Sequence, residues 1–253
     1  MCRAPDICAE EVGTPADMTQ PDLRRNAILA QLPDSELTAL KPHLHVEQAE
    51  LRHSAYEPGK PIVDIYFPLT SVFSLVAVAQ EKIVLEVATI GYEGIVGLPA
   101  YLGAATSPQA AFCQVSGATA RIAVADFRRA LSRDGGLHAL LNRFTQATMV
   151  QIAQNVVCNS THSTDARMAR WLVTTHDRVG SNDFPLTQEF LAQMLGVQRP
   201  TVSETAQRIQ AEGSIRYSRG TMTVVDRQAL ERTACDCYRI VKAEFDALRN
   251  GTA

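Results

Sequence analysis

The sequence predicts an α+β protein with an antiparallel β domain, one long helix and a C-terminal helix-turn-helix that carries a hairpin wing. Three observations in the 253-residue chain predict this order. Short runs of β-branched and aromatic residues, separated by turn residues, fill residues 45–124. One long helical pattern follows over residues 135–160, and a helix–glycine–helix–hairpin pattern spans residues 186–225.

The N-terminal region begins with a polar segment, residues 1–20, that its Pro, Thr and acidic content predicts to be disordered. Two short helices are expected over residues 21–32 and 33–41, with Asp34 as the N-cap of the second. The strands that follow are short and closely spaced, which is typical of an antiparallel sandwich or barrel. The clearest predicted strands are 61–67, 71–78, 82–88, 111–115 and 118–124.

The long helix carries apolar residues on more than one stripe, so it requires cover on two sides. The β domain can cover one side. A second copy of the same helix is an economical partner for the other side and predicts a homodimer, although burial within one monomer is the alternative. Further helices are expected over residues 165–179 and in the amphipathic segment 226–248, with a hinge near residues 159–163.

The helix-turn-helix pattern is defined by its boundary residues. Thr187 is a good N-cap, Gly196 ends the first helix, and Pro200 fits the first turn of the second helix, where no amide donor is required. Such a motif also occurs as plain packing in enzymes, but here the outward face of the second helix is polar and suits the base edges of a major groove. That face and the wing turn offer Gln198, Arg199, Thr201, Ser203, Glu204, Arg208 and Arg219.

A β domain, a long connecting helix and a C-terminal winged helix, in that order, resemble the cyclic-AMP receptor protein/Fnr (Crp/Fnr) family of bacterial transcription regulators. The run Gln198-Arg199-Pro200-Thr201-Val202 resembles the start of the family's recognition helix. The resemblance implies a guanine contact by Arg199 and phosphate contacts by Thr187 and Thr201. The chain departs from the family at Pro200 and Glu204, so its operator should differ from the usual half-site; Glu204 either accepts from a cytosine amine or is a solvated surface carboxylate.

The resemblance also implies a β-roll sensor domain, double-stranded DNA as a partner, a homodimer and contact with RNA polymerase. The matching effector cassette is residues 91–103, but Leu98 stands where the family has a ribose-binding Glu, and Gln109-Ala110 replaces its phosphate-binding Arg-Ser pair. A cyclic nucleotide is therefore not expected as the effector. The cassette is expected to bind another small molecule or to bind nothing. Candidate effector-binding residues are Gly91, Glu93, Gly94, Gly97 and Gln109, with Glu93 alternatively an exposed turn residue.

Composition describes an ordinary globular chain, with 46% hydrophobic residues, 20% charged residues and a net charge of −3. The acidity is uneven: residues 161–253 hold 12 basic and 11 acidic residues, and five arginines lie between Arg199 and Arg227. A local basic patch of this kind can serve phosphate contacts. No apolar run is long enough for a membrane span and no hydrophobic leader is present, so a cytoplasmic location without membrane contact is expected.

The six cysteines are not expected to form a disulfide framework in this compartment. Cys2, Cys8 and Cys113 lack the fourth thiolate of an iron–sulfur cluster, and a haem is equally disfavoured. Cys235 and Cys237, placed on one helix, would direct their sulfurs about 200° apart, which predicts packing rather than metal binding. No cofactor or metal site is therefore predicted, and His162 is expected to cap or hydrogen-bond at the hinge.

Three domains follow: a β domain over residues 21–134, the long helix over 135–160, and a DNA-binding domain over 161–253. The predicted function is sequence-specific transcription regulation by a dimer on a near-palindromic operator. The alternative is a redox or small-molecule sensor whose winged helix mediates protein contacts. An enzyme is not expected, because the sequence has no nucleophile elbow, zinc-protease motif or P-loop.

Overall fold

The computed structural model describes residues 22–79, 83–131 and 135–251. The predicted disordered tail, with Cys2 and Cys8, lies outside the described residues. The α+β architecture is confirmed, with two antiparallel sheets in the first half of the chain. Their strands are β1 (His45–Ala49), β2 (Ser54–Tyr56), β3 (Asp64–Pro68), β4 (Val72–Ala79), β5 (Ile83–Ile90), β6 (Gln109–Val115) and β7 (Gly117–Ala123).

The two sheets enclose one apolar core. One sheet has the strand order β1-β7-β3, and the other has the order β2-β6-β4-β5. Phe73 of β4 pairs with Ile90 on one side and Cys113 on the other, and all three side chains are buried. Phe67 of the opposite sheet is likewise fully buried in this core. Both sheets contribute apolar side chains to this core, and β3 and β4 are buried over consecutive residues and not at alternate positions only.

Two short helices, α1 (Ala27–Gln31) and α2 (Asp34–Leu40), precede the strands. Asn26 caps α1, because its Oδ1 accepts from the amides of residues 28 and 29, and its Nδ2 donates to the carbonyls of Pro68 and Gly94. The prediction that Asp34 caps α2 is wrong. Pro33 occupies the cap position with no side-chain hydrogen bond, and Asp34 is the first helical residue, paired with Arg24.

Two short helices, α3 (Leu98–Tyr101) and α4 (Val124–Ala130), precede the long helix. The long helix is α5 (Gly136–Thr161), and each of its ends lies one residue from the predicted bound. The Glu36 carboxylate accepts from the first two amides of α5 and so replaces a local N-cap. Farther along, Gln151 and Asn155 donate to β5 carbonyls at 3.2 and 2.7 Å. These bonds fix α5 along the β domain.

Among the described helices, none is long and apolar enough to cross a membrane.

The second half contains α6 (Thr164–Val179), α7 (Gln188–Leu195) and α8 (Arg199–Ala211), followed by the hairpin β9 (Ile215–Ser218) and β10 (Thr221–Val224). A two-residue turn joins the hairpin strands, as a tight antiparallel connection requires. A third strand, β8 (Asp183–Pro185), pairs with β10 and was not predicted from the sequence. Three residues are too few to show a strand period.

The predicted amphipathic segment 226–248 is two helices, α9 (Arg227–Thr233) and α10 (Cys237–Asn250), separated by residues 234–236. The helix α10 turns back onto α5. Its Val241, Phe245 and Leu248 are buried in the same core as the β domain. The last helix in sequence is therefore packed against the first half of the chain.

Candidate nucleic-acid interface

Local interactions define the two helices of the helix-turn-helix. Thr187 caps α7, because its Oγ1 accepts from the amide of Phe190 at 3.1 Å. Gly196 ends α7 in the left-handed conformation, with φ of 63°, which a residue with a Cβ adopts only at a cost. A Cβ on Gly196 would also lie 2.8 Å from Leu85 of β5. The turn is therefore fixed by the backbone and by its contact with the β domain.

The second helix of this motif, α8, has one buried and one exposed face. Val202, Ala206 and Ile209 are buried against α7 and the hairpin. On the other face, Gln198, Arg199, Glu204 and Arg208 are exposed, and Thr201 and Ser203 are half-buried. The face predicted to meet DNA is thus directed away from the core.

The helix-turn-helix and the wing share a cleft. It is lined by Thr187, Gln188, Glu189, Arg199 and Tyr217, which brings the N-termini of both helices and the first wing strand together. The Tyr217 hydroxyl donates to the carbonyl of Leu186 at 3.0 Å and holds the wing against this cleft. Gln188 and Tyr217 were not selected from the sequence. The sequence could have indicated them, because Gln188 follows Thr187 directly and Tyr217 lies close to the wing turn.

Two predicted DNA-binding residues already have protein partners. Ser203 donates to Gln188 Oε1 at 2.7 Å, which ties α8 to α7. Arg208 forms a two-point ion pair with Asp165 of α6, with distances of 2.6 and 3.0 Å. The hydrogen bonds and charge of Arg208 lower the pKa of Asp165. Arg219 differs from both, since it is exposed at the wing turn with φ of 50°.

The effector cassette contacts the helices that pack on it. A Cβ on Gly94 would lie 1.9 Å from the ring of Phe144 in α5, and one on Gly91 would lie 2.8 Å from Arg178 in α6. Both glycines are therefore needed for close helix approach. Gly97 is also buried, in the left-handed region with φ of 113°, and Gln109 is half-buried at the start of β6.

Glu93 is buried rather than an exposed turn residue, so that alternative from the sequence is wrong. Its carboxylate accepts from Arg178 Nε at 2.7 Å and from the Gly91 amide at 3.0 Å. Arg178 lies in α6, and its guanidinium also faces the ring of Phe245 in α10 at 5.8 Å. The cassette thus connects the β domain to both the helix-turn-helix domain and the last helix.

A second buried carboxylate lies where α6 and α7 pack on β4 and β5. Glu86 accepts from the Trp171 indole at 2.8 Å, from the Ser74 hydroxyl at 2.7 Å and from the Thr89 hydroxyl at 2.9 Å. Burial raises the pKa of Glu86, although these hydrogen bonds act in the opposite direction. This contact joins α6 to the β domain through a carboxylate whose charge is costly to bury.

Four potential metal ligands converge at the hinge, namely Cys158, His162, Cys235 and Cys237. The sequence-based argument against them placed both C-terminal cysteines on one helix, and that premise is wrong. Cys235 lies in the turn before α10, and only Cys237 is helical. A hydrogen bond from Cys235 lowers the pKa of the Cys158 thiol, with Arg170 adding to the effect. His162 is the C-cap of α5.

A β domain, a long helix and a winged helix-turn-helix follow one another along the chain. Residues 166–233 match the family model of the Crp-like helix-turn-helix domain. The chain therefore carries a Crp-like helix-turn-helix domain, and its fold is that of the Crp/Fnr-family structures described next. No curated protein matches the chain.

Solved structures show the same architecture at low sequence identity. A Crp/Fnr-family transcriptional regulator from Eubacterium rectale is 14% identical to this chain. The match covers 81% of this chain and 96% of the regulator, with a TM-score of 0.63. FixK2 from Bradyrhizobium japonicum is 14% identical, with coverage of 76% and 98% and a TM-score of 0.64. The Crp/Fnr-family regulator TTHA1359 from Thermus thermophilus is 19% identical, with coverage of 75% and 98% and a TM-score of 0.60.

Proposed function

We propose that this chain is a homodimeric, sequence-specific DNA-binding regulator of transcription that acts in the cytoplasm. The observation that carries the proposal is the two-sided character of α8, whose apolar residues are buried while Gln198, Arg199 and Glu204 are exposed. Donors and acceptors on one exposed helical face are what a major groove requires for base-specific contacts. The match of residues 166–233 to a Crp-like helix-turn-helix domain supports the same assignment.

Individual roles follow from position. Arg199, at the N-terminus of α8, is proposed to contact guanine, and Glu204 is proposed to accept from a cytosine amine. Thr187 and Thr201 are proposed to face phosphates, together with Gln198 and with Arg219 at the wing turn. Ser203 can donate to a phosphate only after its hydroxyl leaves Gln188 Oε1. Arg208 joins this set only if its guanidinium leaves Asp165, so its contribution to affinity should be smaller than that of Arg199.

The proposed dimer forms along α5. Met149 and Val156 are exposed by 61% and 64%, lie one heptad apart, and so occupy the same stripe of the helix. Val157, also exposed, extends this apolar surface. Pairing of two α5 helices would cover the stripe and relate two α8 helices by twofold symmetry, about 34 Å apart on one face of DNA.

The effector is proposed not to be a cyclic nucleotide. Leu98 and Gln109 occupy cassette positions where the family has charged ligands, and losing a charge-assisted bond to phosphate costs about 1.5–3 kcal/mol. The close packing of Gly91 on Arg178 and of Gly94 on Phe144 also leaves little room at that end of the cassette. If the cassette binds another small molecule, Gly97 and Gln109 are the better candidates. RNA polymerase is a proposed partner by resemblance to the family.

Selection from a random double-stranded DNA library with the full chain tests the function. We expect enrichment of a near-palindromic sequence whose half-sites are about 10–10.5 base pairs apart, with affinity that falls as salt rises. Recovery of unenriched sequences at low salt, with the protein folded and dimeric, would contradict sequence-specific binding. That outcome would favour a sensor whose winged helix contacts other proteins.

A further inference from the structure

The hinge between α5 and α6 contains a convergent set of thiol and imidazole groups. Cys158 is in the last turn of α5, His162 caps that helix, and Cys235 and Cys237 flank the start of α10. One ligand atom from each of the four residues lies within 4.8 Å of all the others. The Cys158 and Cys235 sulfurs are 3.5 Å apart, and the Cys237 sulfur lies 3.6 Å from His162 Nδ1.

We propose that Cys158, His162, Cys235 and Cys237 bind a single Zn²⁺ ion in a tetrahedral Cys3His site. Zinc–sulfur and zinc–nitrogen bonds of about 2.3 and 2.0–2.1 Å place tetrahedral ligand atoms roughly 3.5–3.8 Å apart. The two distances given above already lie in or near this range. Small adjustments of the side chains would therefore complete the coordination.

The number and the spacing of the ligands favour one metal ion over the other uses of cysteine. A disulfide would join Cys158 to Cys235 and would leave the third thiol and the imidazole without a role. A polynuclear iron–sulfur cluster places iron and sulfide atoms between its thiolate ligands, which must then lie farther apart than in this set. Three thiolates and one imidazole are a common ligand set for structural zinc.

The surrounding charge also suits the proposed site. Zn²⁺ with three thiolates carries a net charge of −1, and burying that charge requires nearby cations. Arg167 and Arg170 of α6 supply them, since the charges of both arginines act on these cysteines. The Nε atoms of both arginines are buried and have no hydrogen-bond partner among the described residues. An anionic metal–thiolate centre would offer them acceptors.

The location gives this zinc a structural role in the regulator. All four ligands come from the protein, so no coordination position is left open for a substrate. The ion would join the end of α5, the linker to α6 and the α9–α10 turn, and so fix the DNA-binding domain relative to the proposed dimer helix. The metal site itself does not depend on the proposed function, because the ligands converge within one chain.

Metal content of the full chain, purified without chelator, tests the proposal. We expect one zinc per chain by mass spectrometry of the metals, and retention of that zinc after Cys113→Ala or after combined Cys2→Ala and Cys8→Ala. Cys158→Ser and Cys235→Ser should each lower bound zinc below about a tenth of the wild-type amount. Circular dichroism and gel filtration of each variant would separate loss of the metal from loss of the fold.

Cobalt titration of the metal-free wild-type chain gives a second measurement that needs no ligand variant. One equivalent of Co²⁺ should produce thiolate charge-transfer bands and the intense visible bands of tetrahedral cobalt. Absence of zinc together with absence of these bands would overturn the proposal. A mass two hydrogens below the reduced chain, assigned to a Cys158–Cys235 disulfide, would also overturn it, as would iron with inorganic sulfide.

Discussion

Arg199 shows how a single side chain carries the proposed sequence recognition. It is the first residue of α8, where it is exposed beside Thr187 and Tyr217 in one cleft. Pro200 follows it. Its ring fixes a helical φ, and it has no backbone N–H that would need a hydrogen-bond acceptor in the first turn. The sequence therefore starts α8 with an exposed arginine, as the proposed contact with a base edge requires.

Arg199→Ala should weaken binding to the selected operator by about 1–3 kcal/mol and relax the preference at one base position. The reason is the loss of a two-point contact to guanine, which phosphate contacts cannot replace. Gel-shift titration against operators varied at each position measures both effects. Arg129→Ala, an exposed arginine of α4, is the matched control and should leave affinity unchanged. An equal loss on every operator would instead make Arg199 a phosphate contact.

Glu86→Gln should stabilise the protein at neutral pH. Because burial raises the folded-state pKa of Glu86, the native state holds its proton more tightly than the unfolded chain. Stability then falls as pH rises above the ordinary glutamate pKa of about 4.3, until the folded-state pKa is passed. Urea unfolding across this range should show a gain for the variant that grows with pH, whereas exposed Glu204→Gln should show none. A pH-independent difference would contradict the assignment.

At the scale of elements, the sequence predicts those features that local interactions determine. The cap Thr187 and the stop at Gly196 are set within a few residues of chain, and the structure has them where the pattern predicts. The break before α10 and the strand β8 depend on distant contacts instead. The hinge cluster was missed for the same reason, since Cys158 and Cys235 are 77 positions apart.

The exposed stripe of α5 predicts a dimer that can be broken by charge. Met149→Glu combined with Val156→Glu should give a monomer, because two like charges would face each other across the twofold axis at each position. Operator binding should fall with the loss of paired recognition helices. Light scattering and gel shift measure the two properties. Leu102→Glu, at a residue exposed by 61% outside α5, should remain dimeric. A dimeric double variant would contradict this interface.

At the scale of the whole molecule, the two halves of the chain are joined by buried polar contacts as well as apolar ones. Arg178 of α6 pairs with Glu93 of the β domain, with only 6% and 8% of the side chains exposed. It also faces Phe245 of α10. A buried ion pair and a cation–π contact of one arginine therefore join three segments distant in sequence.

Arg178→Ala should destabilise the chain by about 3–5 kcal/mol, because it leaves the Glu93 carboxylate buried without its cation. Replacing both partners, with Arg178→Met and Glu93→Leu, should recover much of this free energy of unfolding. Chemical denaturation of the two variants and the wild type measures the difference. If the double variant is as unstable as the single one, the loss arises from packing on Phe245 and not from the unpaired charge.

The return of α10 to the first half of the chain has a consequence for biosynthesis. Ile28 of α1 and Leu248 of α10 belong to the same core, so an early and a late helix of this sequence complete one interior together. Domains usually fold in the order in which the ribosome makes them. Here part of the β-domain core stays uncovered until α10 has left the ribosome.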